Sequence, residues 1–140
     1  MRKHKGFTLI ELVVVVMILG ILAAVAAPKL LGTSKSASDA ALKQSLAVVR
    51  DAIERYAAEH SGTLPPGTDQ ATFTGALATY LRGDFPKCPV AGKNATVSFV
   101  TTTAVDATGN SWMYNTADGT FICNSGATTV SDPTTTYDKL

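Results

Sequence analysis

Sorted into apolar and polar positions, the chain changes texture three times. From Phe7 to Ala27 it is apolar except for Thr8 and Glu11, and Glu11 is the only ionisable side chain there. That span is about the roughly 20 residues an α-helix needs to cross the hydrocarbon core of a bilayer. After Pro28 the pattern becomes periodic. Leu42, Leu46, Val49, Ile53 and Tyr56 follow one another at alternating four- and three-residue steps, which lines them along one face of a helix. Lys43, Arg50, Asp51, Glu54, Arg55 and Glu59 fall mostly off that stripe. The spacing predicts an amphipathic continuation of the first helix over residues 29–60, with the stripe as core, or else a coiled-coil seam. Gly62 and the run Leu64-Pro65-Pro66-Gly67 end it. Between the two halves, Gly20 and Pro28 are weak points. Proline lacks the amide hydrogen that would bond to the carbonyl of Ala24, and glycine adds backbone freedom, so a kink is expected there.

From Thr68 the segments are short. Phe73, Leu77 and Leu81 at four-residue spacing predict a second helix over residues 70–82, stopped by Gly83. Residues 95–103 are rich in Val, Phe and Thr, as a strand would be. A turn signal at Gly109-Asn110, a segment 111–115 with Trp112 and Tyr114, a second turn at Asp118-Gly119 and a segment 120–124 follow. That pattern predicts an antiparallel sheet of about three strands. So small a sheet needs a cover for one face, and the stripe of the long helix can supply it. The fold class is therefore α+β. The threonine-rich stretch 125–140, with Pro133 and few large apolar groups, is expected to be a surface loop or a partly mobile end.

Glu11 is the residue that the N-terminal segment has to explain. A carboxyl at the centre of a membrane helix costs about 2.5 to 3.5 kcal/mol on insertion scales and less near an end. A secretory signal peptide is one reading, since Arg2, Lys3 and Lys5 form a positive leader and Ala24-Val25-Ala26 a small-x-small cleavage site. An acid has no use in a segment that is discarded, however, and the apolar run exceeds the usual h-region of about 7 to 15 residues. A plain membrane anchor with Glu11 near the interface is a second reading.

A third reading comes from a family. The run Gly6-Phe7-Thr8-Leu9-Ile10-Glu11-Leu12, behind a basic leader and ahead of an apolar run, resembles the processing site of the type IV pilins, a family that includes the pseudopilins of type II secretion. The resemblance covers about the first 30 residues and implies a pilin-like fold. It implies that a prepilin peptidase and methyltransferase cuts between Gly6 and Phe7 and methylates Phe7, and that Glu11 supports assembly. It divides the chain into a leader (1–6), a transmembrane and polymerisation half of the helix (7–28) and a globular domain (29–140). Gly20 and Pro28 match positions where filaments of this family lose helical order. The partners implied are copies of the same chain in a helical filament, and an inner-membrane assembly platform with its ATPase. The location implied is the inner membrane for the precursor and the cell exterior for the filament. The physics of Glu11 agrees: its carboxylate could meet the new amine of a neighbour's Phe7, and because unpaired burial of either charge costs several kcal/mol, the pairing would set register.

Composition narrows the rest. At 140 residues and 46% hydrophobic, there is room for one modest globular domain. Without the leader, 9 basic side chains face 11 acidic ones, and no basic cluster remains, so no nucleic-acid partner is indicated. His4 and His60 cannot frame a metal or serve a nucleophile, no cofactor site stands out, and the scattered acids suit turns; the chain reads as no enzyme. Cys88 and Cys123 are the only cysteines, and outside the cytoplasm a disulfide between them is the favoured reading, two free thiols the other. The leading expectation is a subunit of a type IV pilus-like filament. A major pseudopilin of type II secretion, with a periplasmic filament, is the alternative. The acidic, glycine-rich calcium loop common in those proteins is missing from this tail. A single-pass anchored binding domain that never polymerises is the third possibility.

Overall fold

A computed structural model describes residues 7–102, 104–106 and 108–140. The chain forms two compact units, one running to Lys35 and one from Ser36 to Leu140. Helix α1, Leu9–Glu59, contributes to both and has Pro28 inside it. In the first unit the large side chains from Phe7 through Val25, and Leu30 beyond them, are exposed. The helix is long and apolar enough to cross a membrane.

The second unit is built on the predicted stripe. Leu42, Leu46, Val49 and Ile53 are buried in the core and Tyr56 packs against it, so the stripe is core rather than a coiled-coil seam. A Schellman turn ends α1. Ser61 takes φ +56 and Gly62 φ +84, and the Gly62 amide donates to the Ala57 carbonyl at 2.7 Å. Helix α2, Gln70–Leu77, is capped by Asp69, whose carboxylate accepts the Thr72 amide at 2.9 Å. It ends about a turn before the expected limit, yet Leu81 still packs against the core. Phe73 of α2 is the hub of an aromatic cluster, with ring centroids 4.5 Å from Tyr114, 5.5 Å from Phe99 and 6.0 Å from Phe85.

Three strands form the sheet: β1 Val97–Val100, β2 Trp112–Asn115 and β3 Phe121–Cys123, in the order β1-β2-β3. The α+β class and the three strands are as expected, but the sheet is mixed. Strands β2 and β3 are an antiparallel hairpin, with Tyr114 opposite Phe121. Its turn is at Asp118-Gly119, where Gly119 takes φ +77 and a Cβ would lie 2.7 Å from Leu64 Cδ2. Strand β1, in contrast, runs parallel to β2, pairing Val97 with Trp112 and Val100 with Asn115. The reason lies in the connection. Gly109-Asn110 sits at the entrance to β2 and not midway between strands, so it does not join β1 to β2 as a two-residue hairpin turn.

The stretch 125–140 also departs from expectation. It is docked, not loose. Thr128 and Thr136 form a bridge, a 3-10 turn η1 covers Tyr137–Lys139, and Tyr137 is buried in the core cluster.

Candidate functional site

Of the residues singled out at the processing segment, Gly6 lies outside the described residues. Phe7 lies just ahead of α1 and is 84% exposed. Thr8 and Glu11 make a reciprocal capping box, the Thr-x-x-Glu pattern of helix starts. Glu11 Oε2 accepts from the Thr8 amide and from Thr8 Oγ1, both at 2.8 Å, and the Glu11 amide donates to Thr8 Oγ1 at 3.3 Å. The carboxyl is thus held over the helix N-terminus, close in sequence to the position of the expected cut, where the exposed amides favour negative charge. The sequence reading missed Thr8 because it sits in an apolar run; the Thr-x-x-Glu spacing was the signal. At Gly20 a Cβ would meet nothing within 4 Å, and α1 is helical through both Gly20 and Pro28.

In the second unit the two cysteines meet. Cys88 lies in the loop after α2 and Cys123 ends β3, and their sulfurs are 3.7 Å apart, within hydrogen-bond distance and unbonded. Cys88 Sγ also accepts the Ala91 amide at 3.3 Å. The Cys123 thiol and, against the effect of burial, the Ala91 and Val90 amides lower the Cys88 thiol to about 6. Hydrogen bonding to Cys88 and burial push Cys123 up.

A third cluster was not foreseen. Asp39, 2% exposed on α1, takes four hydrogen bonds from the 125–140 stretch: from the Val130 and Ser131 amides at 2.8 Å each and Ser131 Oγ at 3.0 Å to Oδ2, and from the Tyr137 hydroxyl at 2.8 Å to Oδ1. Burial raises the carboxyl, but the bonds from Tyr137, Ser131 and Val130 together outweigh it and hold Asp39 below its ordinary value. Burial, then the bond to Asp39, pushes Tyr137 up to about 12. Three turns along, Arg50 adds a second tie, donating through Nε to the Phe121 carbonyl at 2.9 Å and through Nη2 to the Leu140 carbonyl at 2.6 Å.

Residues 1–27, which hold the start of the exposed apolar helix and its capped acid, match the family model of the prokaryotic N-terminal methylation motif. Among curated proteins, the chain is 41% identical over 70 residues to the type II secretion system core protein G of Vibrio cholerae serotype O1, an alignment covering 50% of this chain and 47% of that one. It is 48% identical over 54 residues to the type IV wide pilus major component PilA4 of Thermus thermophilus, 39% of each chain. With the narrow pilus major component PilA5 of the same organism it shares 44% over 50 residues, 36% of this chain and 43% of that one. The chain spans about half the length, or less, of these relatives. No solved structure matches it.

Proposed function

We propose that this chain is a structural subunit of a type IV pilus-like filament, cut between Gly6 and Phe7, methylated on Phe7 and polymerised through the first half of α1. The observation that carries the reading is Glu11 at the start of an exposed apolar helix. Both bonds from Thr8 land on one carboxyl oxygen, Oε2, which holds the carboxylate at the helix start, where it would meet the amine of a neighbour's Phe7. In an apolar bundle a misaligned neighbour would leave both charges unpaired, at a cost of several kcal/mol, so the pair acts on register more than on strength. The reading brings with it an inner-membrane precursor, the peptidase and methyltransferase that processes it, a membrane platform with its ATPase, and an extracellular filament. Gly20 and Pro28 mark where α1 would loosen under assembly: there the helix lacks one backbone bond and has no side chain to stiffen it.

A major pseudopilin, assembling a short periplasmic filament, is the second reading, favoured by the likeness to core protein G of secretion systems. Deletion and complementation separate the two. Loss of surface filaments with export intact supports the pilus; loss of exported enzymes from a strain with no surface filament supports the pseudopilus. Absence of both losses would refute a filament role. On either reading the second unit is outside the cytoplasm, and the meeting of the sulfurs supports a Cys88–Cys123 disulfide, which would contribute about 2 to 4 kcal/mol.

A further inference from the structure

We infer that the segment Ser125–Leu140 is a lid over the two sulfurs and that Asp39 is its latch, so that reagents reach Cys88 and Cys123 when the segment lifts from α1. The biological use of the lid rests on the disulfide reading above; its existence does not. Cys88 is 1% exposed and Cys123 not at all. η1 packs beside them: Tyr137 belongs to the same core cluster as both cysteines, and the Asp138 amide donates at 3.1 Å to the carbonyl of Ser125, whose own amide donates at 2.9 Å to the Cys123 carbonyl.

The lid carries its own internal bonds. Inside it, the Thr129 amide donates to the Thr135 carbonyl at 2.9 Å and the Tyr137 amide to the Ala127 carbonyl at 2.9 Å. Asp132 closes the tip by accepting from the Thr134 amide at 3.0 Å and from Thr135 Oγ1 at 2.7 Å. Its polar ties to α1 include the Asp39 cluster and the Arg50 bond to Leu140. A segment bonded within itself and latched to α1 through one carboxylate and one guanidinium can open as a unit, below the free energy of global unfolding.

With the lid open, an exogenous disulfide supplies the oxidant. The Cys88 thiolate attacks one of its sulfurs and expels one reagent thiolate, leaving a mixed disulfide. The Cys123 thiolate then attacks Cys88 Sγ and expels the second, and the protons of the two protein thiols end on the two reagent thiols. Closure over the new bond shelters it from external thiols.

The test uses the full chain in detergent micelles. Native-state reduction by dithiothreitol is timed on oxidised protein, and alkylation by N-ethylmaleimide on reduced protein, for wild type, Asp39→Ala and Tyr137→Phe. Loss of charge-assisted bonds from the latch is expected to speed both reactions about a hundredfold in Asp39→Ala and about tenfold in Tyr137→Phe, with rates flat in low urea as local opening requires. Circular dichroism checks that each variant is folded; if Asp39→Ala is not, Tyr137→Phe carries the test. Rates equal to wild type in the folded variants, or rates that track global unfolding in urea, overturn the lid. Two free thiols in unreduced, denatured wild type would overturn the disulfide instead, while the alkylation rates still decide the lid.

Discussion

Replacing Asp39 with alanine removes one carboxyl and leaves four donors behind. Each bond to a charged acceptor is worth about 1.5 to 3 kcal/mol, but the donors share two oxygens and the contributions do not add. Val130 and Ser131 are exposed enough for water to reach their amides, so part of the loss is recovered. The Tyr137 hydroxyl, on a side chain 8% exposed, recovers little. The expected net loss is about 3 kcal/mol, within the range for breaking a buried charged cluster. For a unit of this size that lowers the melting temperature by roughly 12 to 20 °C. Urea unfolding of the full chain in detergent, followed by tryptophan fluorescence, measures it. Because the folded carboxyl is held below its unfolded value, its contribution is complete above the ordinary aspartate pKa of about 3.9 and is lost as pH falls through the lower folded value. Asp39→Asn, which cannot titrate, should therefore narrow its deficit against wild type as pH falls through that window. A loss under about 0.5 kcal/mol for Asp39→Ala, the size of an ordinary surface substitution, would refute the reasoning.

Other outcomes follow from the same geometry. Glu11→Ala should leave the protein in the membrane fraction and abolish or sharply reduce sheared filaments; normal filament yield would remove Glu11 from assembly. Cys88→Ser with Cys123→Ser should cost about 2 to 4 kcal/mol against oxidised wild type, and reducing agent should bring wild type down toward the variant; urea midpoints with and without reductant check both. Phe73→Ala, at the hub of the aromatic cluster, should cost about 3 to 5 kcal/mol in the same unfolding assay.

What could be read from the residues was what repeats locally. The stripe from Leu42 to Ile53 was legible because helical period and apolar character coincide, and the Asp118-Gly119 hairpin because its turn chemistry is local. Asp39 was passed over for an instructive reason. It lies three residues before Leu42, in step with the stripe, so an acid was facing the core, and a search for apolar positions alone discards it. Its partners are more than 90 residues away in sequence, which no local pattern encodes. The docking of residues 125–140 went unseen with it, since one tyrosine and one buried carboxylate do what a run of apolar residues was expected to do. Strand β1 was assigned but read as antiparallel where it is parallel to β2, because direction depends on where a long connection returns. At the N-terminus, Glu11 was legible by its cost and by the family pattern, while its bond to Thr8 needed the capping motif to be sought inside an apolar run.

The measurement that bears most directly on the filament reading is mass spectrometry of the mature N-terminus, on a sheared surface fraction and on membranes in parallel. The account predicts N-methylated Phe7, abundant in the sheared fraction for a pilus and confined to membranes for a pseudopilus. Intact Met1, or a chain beginning at Ala27, would contradict it.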